Sequence, residues 1–348
     1  SVDIETVGSK EISCVGIGYK PSEALCIPFT KSPGVPYFPT HIEALVWQRL
    51  ADLLQNPRVK KIAQNAAFEW LHFWKIGIYP YPLYIDTMHL HHCLYPDFGG
   101  TENIFGGKKF EGEPGHGLAF ITSHYTKTPY YKDDGRKWTP SMGDHAYWTY
   151  NCKDVMVTME AAFAMEREAR DEGVWDFYRQ YYIKPFYHSI RMEWFGVSID
   201  LQRRKEAGEA LDARAIDLQS LIDRSLGYPV NVSSHKQMSD LLYVKRRYQV
   251  RKSHLTGRPT ADKSALQYFA DKHNDQVLLW ILELRQNRDL KGDIIDQELG
   301  EDNRMHCHWK IGGTDSGRWS STKSILGTGT NLQNIPRDGI ARTLFIPS

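Results

Sequence analysis

Asp3 and Glu5, two residues apart in Val2-Asp3-Ile4-Glu5-Thr6, are the first residues of this chain whose types and spacing can do chemistry. Two further acids stand downstream: Glu69 at the end of Asn65-Ala66-Ala67-Phe68-Glu69, and Asp154, four residues after Tyr150. On a strand successive side chains alternate faces, so Asp3 and Glu5 point the same way. On a helix residues four apart share a face, so Tyr150 and Asp154 project together. Mg²⁺ prefers carboxylate and water oxygens, and four carboxylates with one phenol can gather a pair of such ions. Two ions about 3.5–4 Å apart generate an attacking hydroxide and stabilise a leaving oxygen, which is the chemistry of phosphodiester cleavage. Each piece alone is weak. Asp-x-Glu is common at solvated strand ends, Tyr-x-x-x-Asp on helix faces, and Glu69 by itself reads as a surface acid. The signal lies in their combination.

The surrounding pattern predicts elements that position them. Val2 to Thr6 is followed by Ile12-Ser13-Cys14-Val15-Gly16-Ile17-Gly18-Tyr19, an alternating run that reads as a β-meander with the acids at a strand end. Lys61 to Asn65 reads as a strand breaking into a helix over Ala67 to Leu71, and Tyr84-Ile85-Asp86-Thr87-Met88 as a strand end with a helix cap. Residues 146–168 read as a long helix carrying Tyr150 and Asp154.

With these motifs in place, the first part resembles a 3′–5′ exonuclease domain of the type with four acids plus tyrosine, built on a ribonuclease-H-like fold. Asp3 and Glu5 match its first motif, Asn65 to Glu69 its second, and Tyr150 with Asp154 its third. The resemblance implies that Asp3 and Glu5 hold a first metal completed by Asp154. Tyr150 orients the attacking water, and Asp3 bridges to a second metal near Glu69. Thr6, Asn65 and Phe68 position the terminal nucleotide. The implied cofactor is a pair of Mg²⁺ ions, with Mn²⁺ as substitute. One departure stands out: the family has Asp where this chain has Glu69. The extra methylene keeps the charge and moves the oxygens, and a misplacement near 1 Å can cost on the order of 100-fold in rate.

Thr314-Asp315-Ser316-Gly317-Arg318-Trp319-Ser320-Ser321, followed by Asn331-Leu332-Gln333-Asn334-Ile335-Pro336, resembles a signature of family A (DNA polymerase I-like) DNA polymerases where palm meets thumb. Trp319 stands where the family has Leu. The resemblance assigns Arg318, Ser320, Ser321, Asn331, Gln333 and Asn334 to the primer–template. Minor-groove acceptors are similar for all base pairs, so Arg and amide side chains there check pair geometry without reading sequence. Met192-Glu193-Trp194-Phe195-Gly196-Val197-Ser198-Ile199-Asp200 is similar to the family's lead into its polymerase module. Residues 201–226 and 276–296 read as long helices with a small subdomain between them, similar to a thumb. That subdomain holds a basic stretch, Lys245, Arg246, Arg247, Arg251, Lys252, His254, Arg258 and Lys263, interleaved with Tyr243 and Tyr248. A charge run is usually a solvated face. At a thumb tip it grips phosphates without sequence preference, and such binding weakens steeply with salt. Leu118 to Tyr125 and Pro129 to Asp133 resemble bacteriophage members of the family.

Composition sets bounds. With 43 Lys plus Arg against 42 Asp plus Glu, affinity for nucleic acid must come from local patches. The 348 residues suffice for two or three domains. The five cysteines are scattered without a Cys-x-x-Cys pair, which fits free thiols in a reducing compartment. His89, His91, His92 and Cys93 fall on a helix at spacings that suit no structural zinc site. Gly106-Gly107-Lys108-Lys109 lacks the rest of a phosphate loop and reads as a surface turn. No apolar run approaches about 20 residues and no signal peptide is visible, so a cytoplasmic protein of a bacterial or phage-infected cell is expected, with no membrane partner.

The expected architecture is α/β: a mixed sheet flanked by helices in an exonuclease domain (1–175), a lead-in and mostly helical thumb (176–300), and the start of a palm (301–348). The family's later palm acids and fingers helix have no counterpart after Thr343-Leu344-Phe345-Ile346. This chain is therefore expected to proofread but not to extend a primer by itself. Either it is a piece cut from a longer chain, or a second polypeptide supplies fingers and catalytic palm. The second is favoured because the break falls between motifs. Leu344-Phe345-Ile346 is expected to start a strand without neighbours, a sticky edge. Two other readings stand beside this one. A ribonuclease D-like RNA exonuclease shares the acid-and-tyrosine set but leaves the polymerase signature unexplained. A non-catalytic DNA-holding subunit would make Glu69 the mark of a lapsed nuclease.

Overall fold

A computed structural model describes residues 1–7, 11–32, 35–99, 115–136, 144–253, 256–314, 316–337 and 339–347. Gly106 to Lys109, His254 and Asp315 lie outside the described residues. The chain forms two compact units, residues 1–196 with 306–333 and residues 197–305 with 334–348.

In the first unit, β1 (Val2–Val7), β2 (Glu11–Lys20) and β3 (Glu23–Pro28) form an antiparallel meander, with Asp3 opposite Gly16 and Glu5 opposite Cys14. The hairpin β4 (Thr30–Ser32) and β5 (Val35–Pro36) leads into α1 (Thr40–Leu54). β6 (Lys61–Ala63), α2 (Ala67–Lys75) and β7 (Leu83–Asp86) make a parallel crossover. Then come α3 (Thr87–Leu94), α4 (Leu118–Tyr125), α5 (Lys132–Arg136), α6 (Asp144–Asp171), α7 (Trp175–Tyr178) and α8 (Lys184–Phe195). Among the described residues, the strands expected to form a single mixed sheet are divided between the antiparallel meander and the parallel β6–β7 pair, with β4–β5 a separate hairpin. β6 is only three residues long and, among the described residues, pairs with β7 alone, so it does not extend the meander.

The unit closes on one apolar core in which Trp70, Phe73, Ile85, Leu90, Met165, Tyr178 and Phe186 are fully buried. Trp70 and Phe186 meet edge to face with centroids 5.7 Å apart, and the Trp70 indole donates to Pro80 O at 2.9 Å. Because Tyr178, Tyr182 and Phe186 belong to this core, the unit runs to residue 196 rather than ending at the expected 175.

The second unit begins with β8 (Val197–Ile199) and α9 (Leu201–Leu226). Asp200 caps α9 by accepting from Arg203 N, and Gly227 ends it in the left-handed region at φ 78°. α10 (His235–Ser239), α11 (Lys263–His273), α12 (Gln276–Leu290) and β9 (Arg304–Met305) follow. α9 and α12 share a core through Leu218, Ile222, Leu278, Ile281 and Leu284, with an Arg214–Glu283 ion pair at 2.7 Å. The expected 276–296 helix is α-helical to Leu290 and continues as a π turn over Lys291–Ile295. The chain re-enters the first unit as the hairpin β10 (His308–Lys310) and β11 (Ser320–Thr322), and returns to the second as β12 (Phe345–Ile346). The expected palm segment 301–348 is thus divided between the units. β12 is not the unpaired strand expected: Phe345 and Ile346 pair antiparallel with Ile199 and Ser198 of β8. Strand backbone needs partners, and buried Ala341 and Leu344, packed with Ala207, Leu211 and Ile294, seat it there. No helix among the described residues is long and apolar enough to cross a membrane.

Candidate active site

The first unit contains a cavity of about 710 Å³ whose lining includes Asp3, Glu5, Glu69 and Asp154. Carboxylate oxygens of Asp3, Glu5 and Asp154 all lie within 4.8 Å of one another. Strand alternation brings Asp3 and Glu5 to one face of β1, and α6 carries Asp154 up against them. Glu69 stands outside that group of three but in the same cavity, 3% exposed, with Oε2 buried and unpartnered.

The placement of Glu69 traces to Asp86. This fully buried carboxylate caps α3 by accepting from Met88 N at 3.0 Å and His89 N at 3.3 Å. It also accepts from Asn65 N at 3.1 Å and Ala66 N at 2.8 Å. Those bonds hold Asn65 at φ 59°, a left-handed conformation that asparagine tolerates, and the turn starts α2 with Asn65, Phe68 and Glu69 lining the cavity. Thr6, expected beside them, is half-buried in β1 and is not part of the cavity lining.

Burial sets the electrostatics. It holds the Asp3 carboxyl well above its usual range, with Glu5 and Asp154 adding to the effect. Burial, then Asp154, pushes Glu5 up to about 7. Burial and then Asp3 raise Glu69, and burial raises Asp154 despite the Lys132 ammonium 2.8 Å away. Four carboxylates converge on too little positive charge. A buried carboxylate oxygen without a partner and an all-oxygen donor set suit a hard divalent cation such as Mg²⁺.

A pH dependence follows. Glu5 ionises near 4.5 in an unfolded chain and near 7 in the folded one. Between those values the folded chain keeps a proton that the unfolded chain has released, so stability falls as pH rises through the window. In chelator-treated buffer the melting temperature is expected to fall from pH 4.5 to 7 more steeply for the wild type than for Glu5→Gln, and Mn²⁺ should restore it. Equal slopes for the two proteins would show that Glu5 is not buried beside other acids.

Several residues around the acids escaped the motif reading. Asn151, fully buried, donates to Asp3 Oδ2 at 2.7 Å. It has room only because Gly16 faces it, where a Cβ would stand 2.4 Å from Asn151 Oδ1. Tyr147 donates to Glu5 Oε2 at 3.4 Å. Both signals were present in the sequence: Tyr147, Tyr150, Asn151 and Asp154 follow the i, i+3, i+4, i+7 spacing of one helical face. Tyr131 and Lys132 also reach Asp154, at 2.6 and 2.8 Å, and Lys132 Nζ donates to Tyr150 Oη at 3.0 Å. No spacing rule pointed to them.

The cavity lining also includes His308, Lys310, Thr322, Lys323 and Ile325 of the β10–β11 segment. Glu193 of α8, 1% exposed, fastens this segment. It accepts from Ser324 Oγ at 2.9 Å and Ile325 N at 2.8 Å, and pairs with His308 Nδ1 at 2.7 Å.

The residues expected at nucleic acid are spread over both units. In the first, Arg318 is exposed, Ser321 Oγ donates to Asn331 Oδ1, and Gln333 Nε2 donates to Trp319 O at 3.2 Å, so the two halves of the signature are laced together. Ser320 Oγ turns to Gly313 O at 3.4 Å. In the second, Asn334 is exposed, and Lys245, Arg247 and Lys252 are exposed cations. Lys245 lies over the Tyr228 ring and Arg251 over Tyr268, while Arg246 is held by Asp275 at 3.1 Å.

Comparison with known proteins places the second half. Residues 201–348 match the family described as DNA polymerase family A. DNA polymerase I of Bacillus subtilis (strain 168) is 33% identical over 165 residues, covering 45% of this chain and 18% of that protein. DNA polymerase I of Rhizobium leguminosarum is 26% identical over 296 residues, covering 83% of this chain and 27% of that protein. The chain therefore spans 18–27% of the length of these relatives. Among solved structures, the POL domain of Pol1 from M. smegmatis, in complex with DNA primer-template and dNTP, is similar in fold. It gives a TM-score of 0.73 at 17% identity, over 99% of this chain and 53% of that chain.

Proposed function

We propose that this chain, whose residues 201–348 are a family A DNA polymerase segment, carries a metal-dependent 3′–5′ exonuclease in its first unit and grips primer–template DNA with its polymerase part. The observation that carries the reading is the convergence of Asp3, Glu5 and Asp154 within 4.8 Å in a cavity that also holds unpartnered Glu69. A meander followed by a parallel strand–helix crossover supports a ribonuclease-H-like domain.

Asp3, Glu5 and Asp154 would hold one divalent ion, and Asp3 with Glu69 a second. When bound, such ions lower the pKa of water and stabilise the leaving oxygen. Asn65 and Phe68 would seat the terminal nucleotide, and Lys310 and Lys323 would meet phosphates of the incoming single strand. Tyr150 stays protonated, since burial and Asp154 both raise its pKa, and so offers a hydroxyl to orient water. Lys245, Arg247, Lys252 and Arg318 would meet the duplex backbone, and Gln333 and Asn334 the minor groove. Primer extension needs catalytic palm and fingers motifs that this sequence does not contain, and we assign them to further polypeptide, on this chain or a partner.

The test is digestion of a 5′-labelled DNA primer, paired or mispaired at its 3′ end, with Mg²⁺ or Mn²⁺. Stepwise shortening, faster at the mispair, is expected. Glu69→Asp, which restores the family's residue, should raise the rate, by at most on the order of 100-fold. Shortening only after Glu69→Asp would favour the DNA-holding reading. Equal attack on RNA and DNA ends would favour the ribonuclease D-like one. No shortening by either protein would end the nuclease proposal.

A further inference from the structure

Asp154 is the most heavily engaged acid of the site. Tyr131 donates to Oδ1 at 2.6 Å and Lys132 to Oδ2 at 2.8 Å, so two consecutive residues take both oxygens. The same ammonium donates to Tyr150 Oη at 3.0 Å. Its side chain is only 12% exposed. A second, independent feature fixes this arrangement. Gly135, three residues on in α5, lies against the Tyr150 ring, where a Cβ would come within 2.5 Å of Cζ. Lys153 of α6 and Asp134 of α5 pair at 3.3 Å and tie the two helices. The α5 turn is thus a shelf that carries the Tyr150 ring on its backbone and inserts one cation among the acids.

We infer that Lys132 is a positioning residue and a tethered cation of the site. It locks the Tyr150 hydroxyl and the Asp154 carboxylate in register, and it neutralises part of the charge that divalent ions would otherwise meet. By donating to Tyr150 Oη, the ammonium occupies one lone pair of the phenol and leaves the other for water. By standing beside Asp154, it competes electrostatically with any ion drawn to the same carboxylates. A rigid scaffold residue would make metal binding stronger by its presence. This one makes binding weaker and the site more ordered, and that opposition separates the two roles.

The inference rests on the nuclease reading, and the test keeps the two apart. Mn²⁺ binding without DNA is followed by electron paramagnetic resonance, and primer shortening by kcat and KM, for wild type, Lys132→Met, Lys132→Arg and Asp3→Ala. In Lys132→Met, Mn²⁺ should bind several-fold more tightly. The kcat should fall by on the order of tenfold to a hundredfold, with KM little changed. Lys132→Arg should recover much of kcat and return Mn²⁺ affinity toward wild type. Tighter binding together with a lower kcat supports the inference, and the absence of either overturns it. If wild type shortens no DNA, the nuclease reading fails, and the Mn²⁺ arm still decides whether Lys132 opposes cations at Asp154. Melting temperatures identify a variant that has failed to fold. If Lys132→Met does, Lys132→Gln, which keeps a polar chain without the charge, must show the same tighter Mn²⁺ binding and lower kcat, and wild-type values in it overturn the inference.

Discussion

On the nuclease reading proposed above, Asp3→Ala is expected to remove 3′-end shortening almost completely while leaving the proposed DNA binding by the second unit unchanged. Asp3 lies at the centre of the acid cluster: its carboxylate is among the three within 4.8 Å, and its charge is the largest electrostatic contribution raising Glu69. Losing the ligand that, in this proposal, would serve both ions would forfeit several kcal/mol of transition-state stabilisation. At about 1.4 kcal/mol per factor of ten, the rate should fall roughly a thousandfold. The side chain is not part of the apolar core; its removal relieves crowding among the acids but leaves the buried Asn151 amide without its acceptor, so the melting temperature in chelator should change little. Single-turnover shortening of a 5′-labelled primer measures the first effect and calorimetry the second. Retained shortening in Asp3→Ala would mean that the acids gathered here are not the nuclease.

Glu193→Ala is expected to have the largest effect on stability. The carboxylate is 1% exposed and accepts from Ser324 Oγ, from Ile325 N and from the His308 ring. Truncation strands a partly buried backbone N–H, a buried hydroxyl and a buried imidazole together. Leaving a buried donor without its acceptor costs about 1–3 kcal/mol, and three lose theirs here. The loss also has a local consequence, because the same bonds hold the segment that brings Lys310 and Lys323 to the cavity. Denaturant melts should therefore show a lowered midpoint, and a protease should cut within 306–326 before the rest of the first unit unfolds. A variant as stable as wild type would show that the segment is held by packing of Ile311, Trp319 and Ile325 instead.

The sequence legibly carried the local geometry. Period-two alternation in β1 puts Asp3 and Glu5 on one face, and Tyr150 and Asp154 share a helix face because they are four apart. Asp86 reads as a cap from its place after an apolar strand, and it is one. The 201–226 helix, with Asp before it and Gly after it, matches α9 residue for residue. These are properties of dihedral preference and hydrogen-bond demand within a few residues, and short stretches of sequence state them directly.

Contacts between distant segments were decided only by tertiary structure. Nothing in Pro129-Tyr130-Tyr131-Lys132 announces that its cation ends up between Asp154 and Tyr150, because that depends on where α5 docks on α6. The second role of Asp86, holding the Asn65 turn 21 residues earlier, required β6 and β7 to pair. The strand at Phe345 looked unpaired in sequence and found β8 nearly 150 residues away. The boundary drawn at residue 175 moved to 196 because Tyr178 and Phe186 fill the same core as Trp70. Side-chain spacing along a strand or helix determines which residues can act together. Burial of apolar surface and pairing of backbone groups across the fold determine which of them meet, and no local pattern records that choice.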